Sequence, residues 1–151
     1  MTALVVGFGN PDRGDDAAGP LVARLLVDRI AARVVERHGD ALALLDEWRE
    51  AEALVLIDAA APMGEPGRIH EIDPCTDELP RQFAFGSTHA FGLAEAIALS
   101  HRLGSLPART KVYAIEGENF APGAALSPAV AAAVDRLAAR GGALLPPAAE
   151  E

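Results

Sequence analysis

A glycine-rich, acidic stretch joins the first apolar run of the chain to its first helical pattern, and residues 7–20 read GFGNPDRGDDAAGP. Residues 2–6, just before it, have the branched apolar side chains of a buried strand, and glycines at 7 and 9 let the chain turn at little steric cost. Pro20 suits the first turn of a helix, where a missing N–H sacrifices no hydrogen bond. The pattern predicts a strand, a loop and a helix, with Asp15 and Asp16 just before the helix.

The acidic residues of this loop argue against a nucleotide site. A dinucleotide fingerprint would need a third glycine at position 12, where Asp12 stands. A bound pyrophosphate would also be repelled by the neighbouring carboxylates. Carboxylate oxygens suit a cation instead. The alternative is that they stabilise the positive end of the helix by about 0.5–2 kcal/mol, and this alternative applies above all to Asp15.

Composition indicates one domain, which we place at residues 1–140, followed by a flexible C-terminal tail at residues 141–151. The chain has 151 residues and is 50% hydrophobic, which is enough for a proper core.

The net charge of -9 argues against a nucleic-acid surface. A single cysteine, Cys75, excludes an internal disulfide framework and a cysteine-based zinc site and favours a reducing compartment. The sequence shows no export signal, and its apolar runs are much shorter than the ~20 residues that span a bilayer. We therefore expect a cytoplasmic protein with no membrane contact.

Apolar runs and helical patterns alternate along the rest of the chain. Further strands are expected at residues 33–37, 53–57, 67–72 and 111–115, and further helices at residues 41–50, 90–103 and from 128 onward. The run at 53–57 is typical of a central strand covered on both faces, and 67–72 of an edge strand. This order predicts an α/β fold, a three-layer α/β/α sandwich on a mostly parallel sheet of about five strands.

The sequence also predicts the buried face of one helix and the end residues of two others. Residues 41–50 would bury Leu42, Leu45 and Trp48 on one face. The helix at 90–103 would begin at an N-cap, Ser87 or Thr88, and end at Gly104. Ser127 followed by Pro128 predicts the start of the last helix.

Ligands of such a sheet bind outside the carboxyl ends of its strands, and three polar residues fall there. Asp16 follows the first strand, Asp58 ends the apolar run at 53–57, and His89 lies before a predicted helix. Two carboxylates and an imidazole can hold a zinc- or nickel-like ion and leave positions open for another ligand. A histidine near a helix start is, alternatively, a surface or capping residue. His38, after the second strand, is a further candidate for the rim of this site.

Motifs in four places resemble, in the same order, those of the hydrogenase maturation protease family. They are GxGNxxxxDDxxG from Gly7, LIDA at 56–59, STHxxGL from Ser87, and IEG at 115–117 followed by PGxxLSP at 122–128. The resemblance runs from Val5 to about Leu137, which is nearly the whole predicted domain.

The resemblance implies an endopeptidase that removes a C-terminal extension from the nickel-loaded large subunit of a nickel-iron hydrogenase. It implies that Asp16, Asp58 and His89 are both the metal-site and the catalytic residues. It also implies that the nickel is carried in by the large-subunit precursor and binds weakly to the isolated protein. Cleavage then lets the C-terminal segment of the substrate close over its metal centre.

Two departures from the family pattern bear on function. Residues 36–40 read ERHGD where many members have Asp-Gly-Gly-Thr, and Ala17 stands where many have glycine. The altered loop supports the competing hypothesis of a non-catalytic, nickel-sensing chaperone or binding module for a hydrogenase-like metalloenzyme. A third hypothesis is a small α/β hydrolase that shares only the fold.

Two catalytic motifs of other hydrolases are missing from the sequence. It has no Gly-x-Ser-x-Gly elbow and no His-Glu-x-x-His helix. For a peptidase, this leaves attack by water assisted by a metal or a carboxylate, with either aspartate as the base.

Overall fold

The structure, a computed structural model, describes residues 2–76 and 92–147. Within these ranges it has a sheet of five strands in the order β2-β1-β3-β5-β4. The strands are β1 (Ala3–Phe8), β2 (Arg33–Arg37), β3 (Ala53–Ala60), β4 (Ile69–Ile72) and β5 (Arg109–Glu116). Neighbouring strands are parallel, except that β4 runs antiparallel to β5 at one edge. The predicted mostly parallel sheet and its edge strand are confirmed.

Helices cover both faces of the sheet and complete the three predicted layers. They are α1 (Ala18–Leu26), α2 (Leu44–Trp48), α3 (Leu93–Leu103) and α4 (Pro128–Ala139), with short 3-10 turns at Gly14–Ala17, Ala41–Ala43 and Gly141–Leu144. Because side chains alternate along a strand, Val55 and Ile57 face α1 and α4, whereas Leu54 and Leu56 face α2 and α3. Every residue of β3 is buried, as its continuous apolar sequence predicts.

The region around α2 differs from the predicted single helix at residues 41–50. A 3-10 turn at Ala41–Ala43 precedes α2, and this rotates the buried face onto Ala41, Leu44 and Trp48. The predicted burial of Leu42 is therefore wrong, since Leu42 is 50% exposed. The Trp48 indole N–H donates to Ser100 Oγ at 2.9 Å, which ties α2 to α3.

Helix α3 starts later than predicted and ends where predicted. It begins at Leu93, with Gly92 as its N-cap, and the Gly92 N–H donates to the Glu95 carboxylate. Ser87 and Thr88, the predicted N-cap residues, and the predicted first residue, Ala90, lie outside the described residues. Gly104 ends the helix in the left-handed conformation, with φ of 72°, as expected of a C-terminal glycine cap.

The sequence predicts a flexible tail from residue 141, but residues 141–147 contact the rest of the domain. Leu144 is fully buried against the face that α1 and α4 cover, and its carbonyl accepts a hydrogen bond from the Tyr113 hydroxyl at 3.0 Å. The Arg109 guanidinium donates to the carbonyls of Pro147 and Pro146 at 2.7 and 2.8 Å. These contacts extend the folded domain past residue 140, and residues 148–151 lie outside the described residues.

Among the described helices, none combines the length and the apolar character that crossing a membrane requires.

Candidate functional site

Glycines bring the start of α1 against the ends of two strands. A Cβ on Gly19 would lie 2.4 Å from the Phe8 carbonyl oxygen and 2.5 Å from that of Ile57. A Cβ on Gly7 would lie 2.3 Å from the Gly19 carbonyl oxygen. Only glycine permits such a close approach of two backbones. The approach places the Gly14–Ala17 turn directly beside the carboxyl ends of β1 and β3.

The loop after β1 closes around Asp16. Asp16 is 4% exposed, and its Oδ2 accepts a hydrogen bond from the Asn10 backbone N–H at 2.9 Å. Gly9 has φ of 146°, and a Cβ there would lie 2.1 Å from the Asp16 carbonyl oxygen. The Gly-x-Gly-Asn sequence thus forms a turn that fits around an acidic side chain.

Asp58 lies in β3, near its carboxyl end, and is fully buried. Its Oδ1 accepts a hydrogen bond from the Ala59 N–H at 2.7 Å, and its Oδ2 has no hydrogen-bond partner within residues 2–76 and 92–147. Burial raises the pKa of Asp58 well above its ordinary value, and the negative charge of Asp16 raises it further. The structure thus brings Asp16 and Asp58 together, as two coupled carboxylates at one edge of the sheet. Such a pair favours a bound proton or a cation.

His89, the third predicted residue of the site, lies outside the described residues. Leu93 and Leu56 lie in the core on one face of the sheet, and strand alternation places the Asp58 side chain on that same face. Within the described ranges, no group of three or more His, Cys, Asp or Glu side chains is arranged to hold a metal ion. The described part of the site is therefore the carboxylate pair.

Asp15 has a different environment from its neighbour Asp16. Its side chain is fully buried and accepts hydrogen bonds from the N–H groups of Glu118, Asn119 and Ser127 and from the Ser127 hydroxyl, at 2.6–3.0 Å. Burial alone would raise the pKa of Asp15, but these hydrogen bonds outweigh it and lower the pKa below the ordinary value. The alternative that Asp15 caps α1 does not hold, since its carboxylate binds the N-cap residue of α4.

Glu116 is a buried carboxylate that sequence reasoning did not assign to the site. It ends β5, is 1% exposed and pairs in register with Ala60 of β3. Its Oε2 accepts a hydrogen bond from the Glu65 N–H, and its Oε1 lies 3.7 Å from Nε2 of His70. The motif Ile-Glu-Gly at 115–117 was the available signal, but nothing in it shows that the carboxylate is turned inward.

The divergent loop at residues 36–40 is held at the same edge of the sheet. The Arg37 guanidinium forms two hydrogen bonds to the Glu47 carboxylate, at 3.0 and 2.6 Å, and the Arg37 carbonyl accepts one from the Gly9 N–H at 3.0 Å. His38 is exposed. His38 therefore follows a residue that is hydrogen-bonded to the loop holding Asp16, and its place on the rim of the site stays a prediction.

Comparisons with known proteins agree with this architecture. A family model described as hydrogenase maturation protease matches residues 26–141, a range that includes Asp58 and His89 and begins after Asp16. No curated protein sequence matches the chain.

Solved structures with the same fold include three hydrogenase maturation enzymes. The maturating endopeptidase HybD from E. coli is 22% identical, with a TM-score of 0.74 over 93% of this chain and 89% of that one. The [NiFe] hydrogenase maturation protease HycI from Thermococcus kodakarensis KOD1 is 22% identical, with a TM-score of 0.72 over 91% and 88%. HybD from Thermococcus kodakarensis is 24% identical, with a TM-score of 0.71 over 92% and 95%.

Proposed function

We propose that this chain, which belongs to the hydrogenase maturation protease family, removes a C-terminal extension from the nickel-loaded large-subunit precursor of a nickel-iron hydrogenase. Family membership rests on the match over residues 26–141, and members of the family are peptidases. The observation that carries the finer proposal is the pair of coupled, buried carboxylates, Asp16 and Asp58, at the carboxyl ends of β1 and β3.

The pair suits the chemistry of amide hydrolysis. Water must lose a proton as it attacks the carbonyl carbon, and the leaving amine must gain one. Asp58 favours its protonated form because of burial and the nearby charge of Asp16, so the pair can hold one proton between the two groups. We assign the removal of the proton from water and its delivery to the leaving amine to this pair.

We propose that the nickel ion carried by the substrate balances the negative charges of the two aspartates. Asp16, Asp58 and His89 are its proposed ligands, and the positive ion would take the place of the shared proton and relieve the repulsion between the two carboxylates. Support for His89 comes from its motif and from its position three residues before Gly92, the N-cap of a helix that packs on the face occupied by Asp58. Two carboxylates and one imidazole leave the metal shell incomplete, so we propose weak binding of nickel to the isolated protein.

Incubation of the purified protein with large-subunit precursor, loaded with nickel or free of it, tests this proposal by mass spectrometry. We expect a shortened large subunit only in the nickel-loaded sample. Asp16→Ala and His89→Ala should lower the cleavage rate by roughly 10²–10⁴-fold, the usual contribution of such groups. Asp135→Ala and His101→Ala are matched controls, because both side chains are exposed on helices away from the strand ends.

Cleavage by Asp16→Ala and His89→Ala at the wild-type rate would contradict the assigned roles. The loop at 36–40, which departs from the family sequence, favours a second candidate, a nickel-sensing binding module. Stable binding of the nickel-loaded precursor, with its mass unchanged after prolonged incubation, would support that function in place of the peptidase.

A further inference from the structure

We propose that Asp15 is a positioning residue, which acts on the reaction through Asp16. By fixing the Gly14–Ala17 turn to the loop between β5 and α4, residues 117–127, Asp15 holds the Asp16 carboxylate beside Asp58. The effect on cleavage rests on the proposed function, whereas the effect on the geometry of Asp16 does not.

The Asp15 carboxylate is the point where the two loops meet. Its Oδ2 accepts hydrogen bonds from the Glu118 N–H at 2.8 Å, the Asn119 N–H at 3.0 Å and the Ser127 hydroxyl at 2.6 Å. Its Oδ1 accepts one from the Ser127 N–H at 2.7 Å. These donors lie more than 100 residues away in sequence, so the carboxylate joins parts of the chain that no local structure would bring together.

The backbones of the two loops also fit closely. The Asp15 N–H donates to the Asn119 carbonyl at 2.8 Å, and the Gly123 N–H donates to the Asp12 carbonyl at 2.7 Å. Gly14 has φ of 55°, and a Cβ there would lie 2.2 Å from the Asn119 carbonyl oxygen. The turn that carries both aspartates therefore has its position set by the loop at 117–127 as well as by β1.

Asp16 follows Asp15 directly, so a shift of the turn moves the Asp16 carboxylate as well. A displacement of about 1 Å at a catalytic group can cost on the order of 100-fold in rate. A residue that only stabilised the fold would change the free energy of unfolding and leave the geometry of Asp16 in the folded protein intact. The two roles are therefore separable by experiment.

The backbone amide of Asn10 reports the position of Asp16, because it donates to Asp16 Oδ2 at 2.9 Å. NMR of the full-length protein would follow the chemical shift and hydrogen exchange of this amide in Asp15→Asn and in Ser127→Ala. Asparagine keeps the size of the side chain but turns an N–H₂ group toward donors. We expect the Asn10 amide to shift and to exchange about tenfold faster in Asp15→Asn, with a smaller change in Ser127→Ala.

Ser100→Ala is the matched control, because it also removes a buried hydroxyl, the one that accepts from Trp48 at 2.9 Å. It should lower stability and leave the Asn10 amide unchanged. An unchanged Asn10 amide in Ser127→Ala and in folded Asp15→Asn would overturn the proposal. If Asp15→Asn does not fold, the Asn10 amide of Ser127→Ala decides whether Asp15 positions Asp16. Ser127→Ala leaves the backbone donors of Asp15 in place.

Cleavage of the nickel-loaded precursor gives the second readout. We expect kcat to fall about tenfold or more in Asp15→Asn with KM within about twofold of wild type, as for a group that is misplaced and not lost. Normal kcat in a variant whose Asn10 amide has shifted would overturn the link to the reaction. If the wild-type protein cleaves no precursor, the proposed function fails, and the NMR result still decides whether Asp15 positions Asp16.

Discussion

Asp15 and Asp58 are both buried carboxylates, yet their surroundings affect their charges in opposite ways. Asp15 is stabilised in its charged form because several N–H and O–H groups surround it. Among residues 2–76 and 92–147, Asp58 receives one hydrogen bond, from Ala59, and it faces the charge of Asp16, so its protonated form is favoured. Burial raises the pKa of both carboxyl groups; the donors around Asp15 outweigh this effect, whereas the charge beside Asp58 adds to it.

Asp16→Asn should lower the pKa of Asp58, because the substitution removes a negative charge beside it and keeps the size of the side chain. The pKa should stay above the ordinary value of 3.8, since burial is the larger cause of the rise. Titration of the labelled Asp58 carboxyl carbon by NMR measures this. Asp135→Asn, on the exposed face of α4, should leave the Asp58 titration unchanged. A pKa of Asp58 that does not move in Asp16→Asn would contradict the coupling.

Sequence reasoning reached Asp16 and Asp58 because both follow apolar strands, and strand ends meet at one edge of a parallel sheet. It set Asp15 apart from Asp16, but it considered only helix capping for Asp15 and could not find the partners of its carboxylate. The donors to Asp15 come from Glu118, Asn119 and Ser127, and no spacing in the sequence indicates that they surround this carboxylate. The inward position of Glu116 depends in the same way on Glu65 and the β4 edge.

The strands and the longer helices were predictable, whereas two short helical segments, before α2 and after α4, were not. The apolar run of β3 and the Ser127-Pro128 start of α4 are clear in the sequence and are confirmed. The 3-10 turn before α2 buries Ala41 and Leu44 in place of Leu42. A search for the period of an α-helix does not show such a turn. The segment at 141–147 is too short to show a period, and its partners, Tyr113 and Arg109, lie in β5.

Leu144→Ala tests whether the C-terminal segment belongs to the folded domain. Leu144 is fully buried among apolar side chains, so we expect the free energy of unfolding to fall by about 2–5 kcal/mol through the cavity left behind. Leu103→Ala is the matched control, because Leu103 is 66% exposed, and it should change stability by no more than about 0.5 kcal/mol. Urea unfolding measures both, and equal effects of the two substitutions would contradict the packing of residues 141–147.

The order of the sheet explains how distant parts of the molecule form one site. Strands β1, β3 and β5 are adjacent and parallel, so the loop holding Asp16, the end of β3 at Asp58 and the loop at 117–127 meet at one edge. The loop at 36–40 follows β2, next to β1, and joins the same edge. Buried acids collect there in a protein whose net charge is already -9.

This concentration of buried acids makes the stability of the molecule depend on pH in two opposite ways. The folded pKa of Asp15 is lowered, so its contribution is present above the ordinary value of 3.8 and is lost as the pH falls through the folded pKa. The folded pKa of Asp58 is raised, so its contribution is full below 3.8 and is lost as the pH rises through the folded pKa. The two groups together favour maximal stability in mild acid.

We therefore expect the wild-type protein to lose stability as the pH rises above 3.8 toward the folded pKa of Asp58, because the buried carboxyl group must then ionise. Asp58→Asn should remove this part of the pH dependence, because asparagine does not titrate. Asp135→Asn, an exposed control, should keep it. Urea unfolding of the three proteins from pH 4 to pH 8 measures the difference. Parallel curves for wild type and Asp58→Asn would show that Asp58 is ionised at little cost in the folded protein, and the shared proton proposed for the pair would then have to be abandoned.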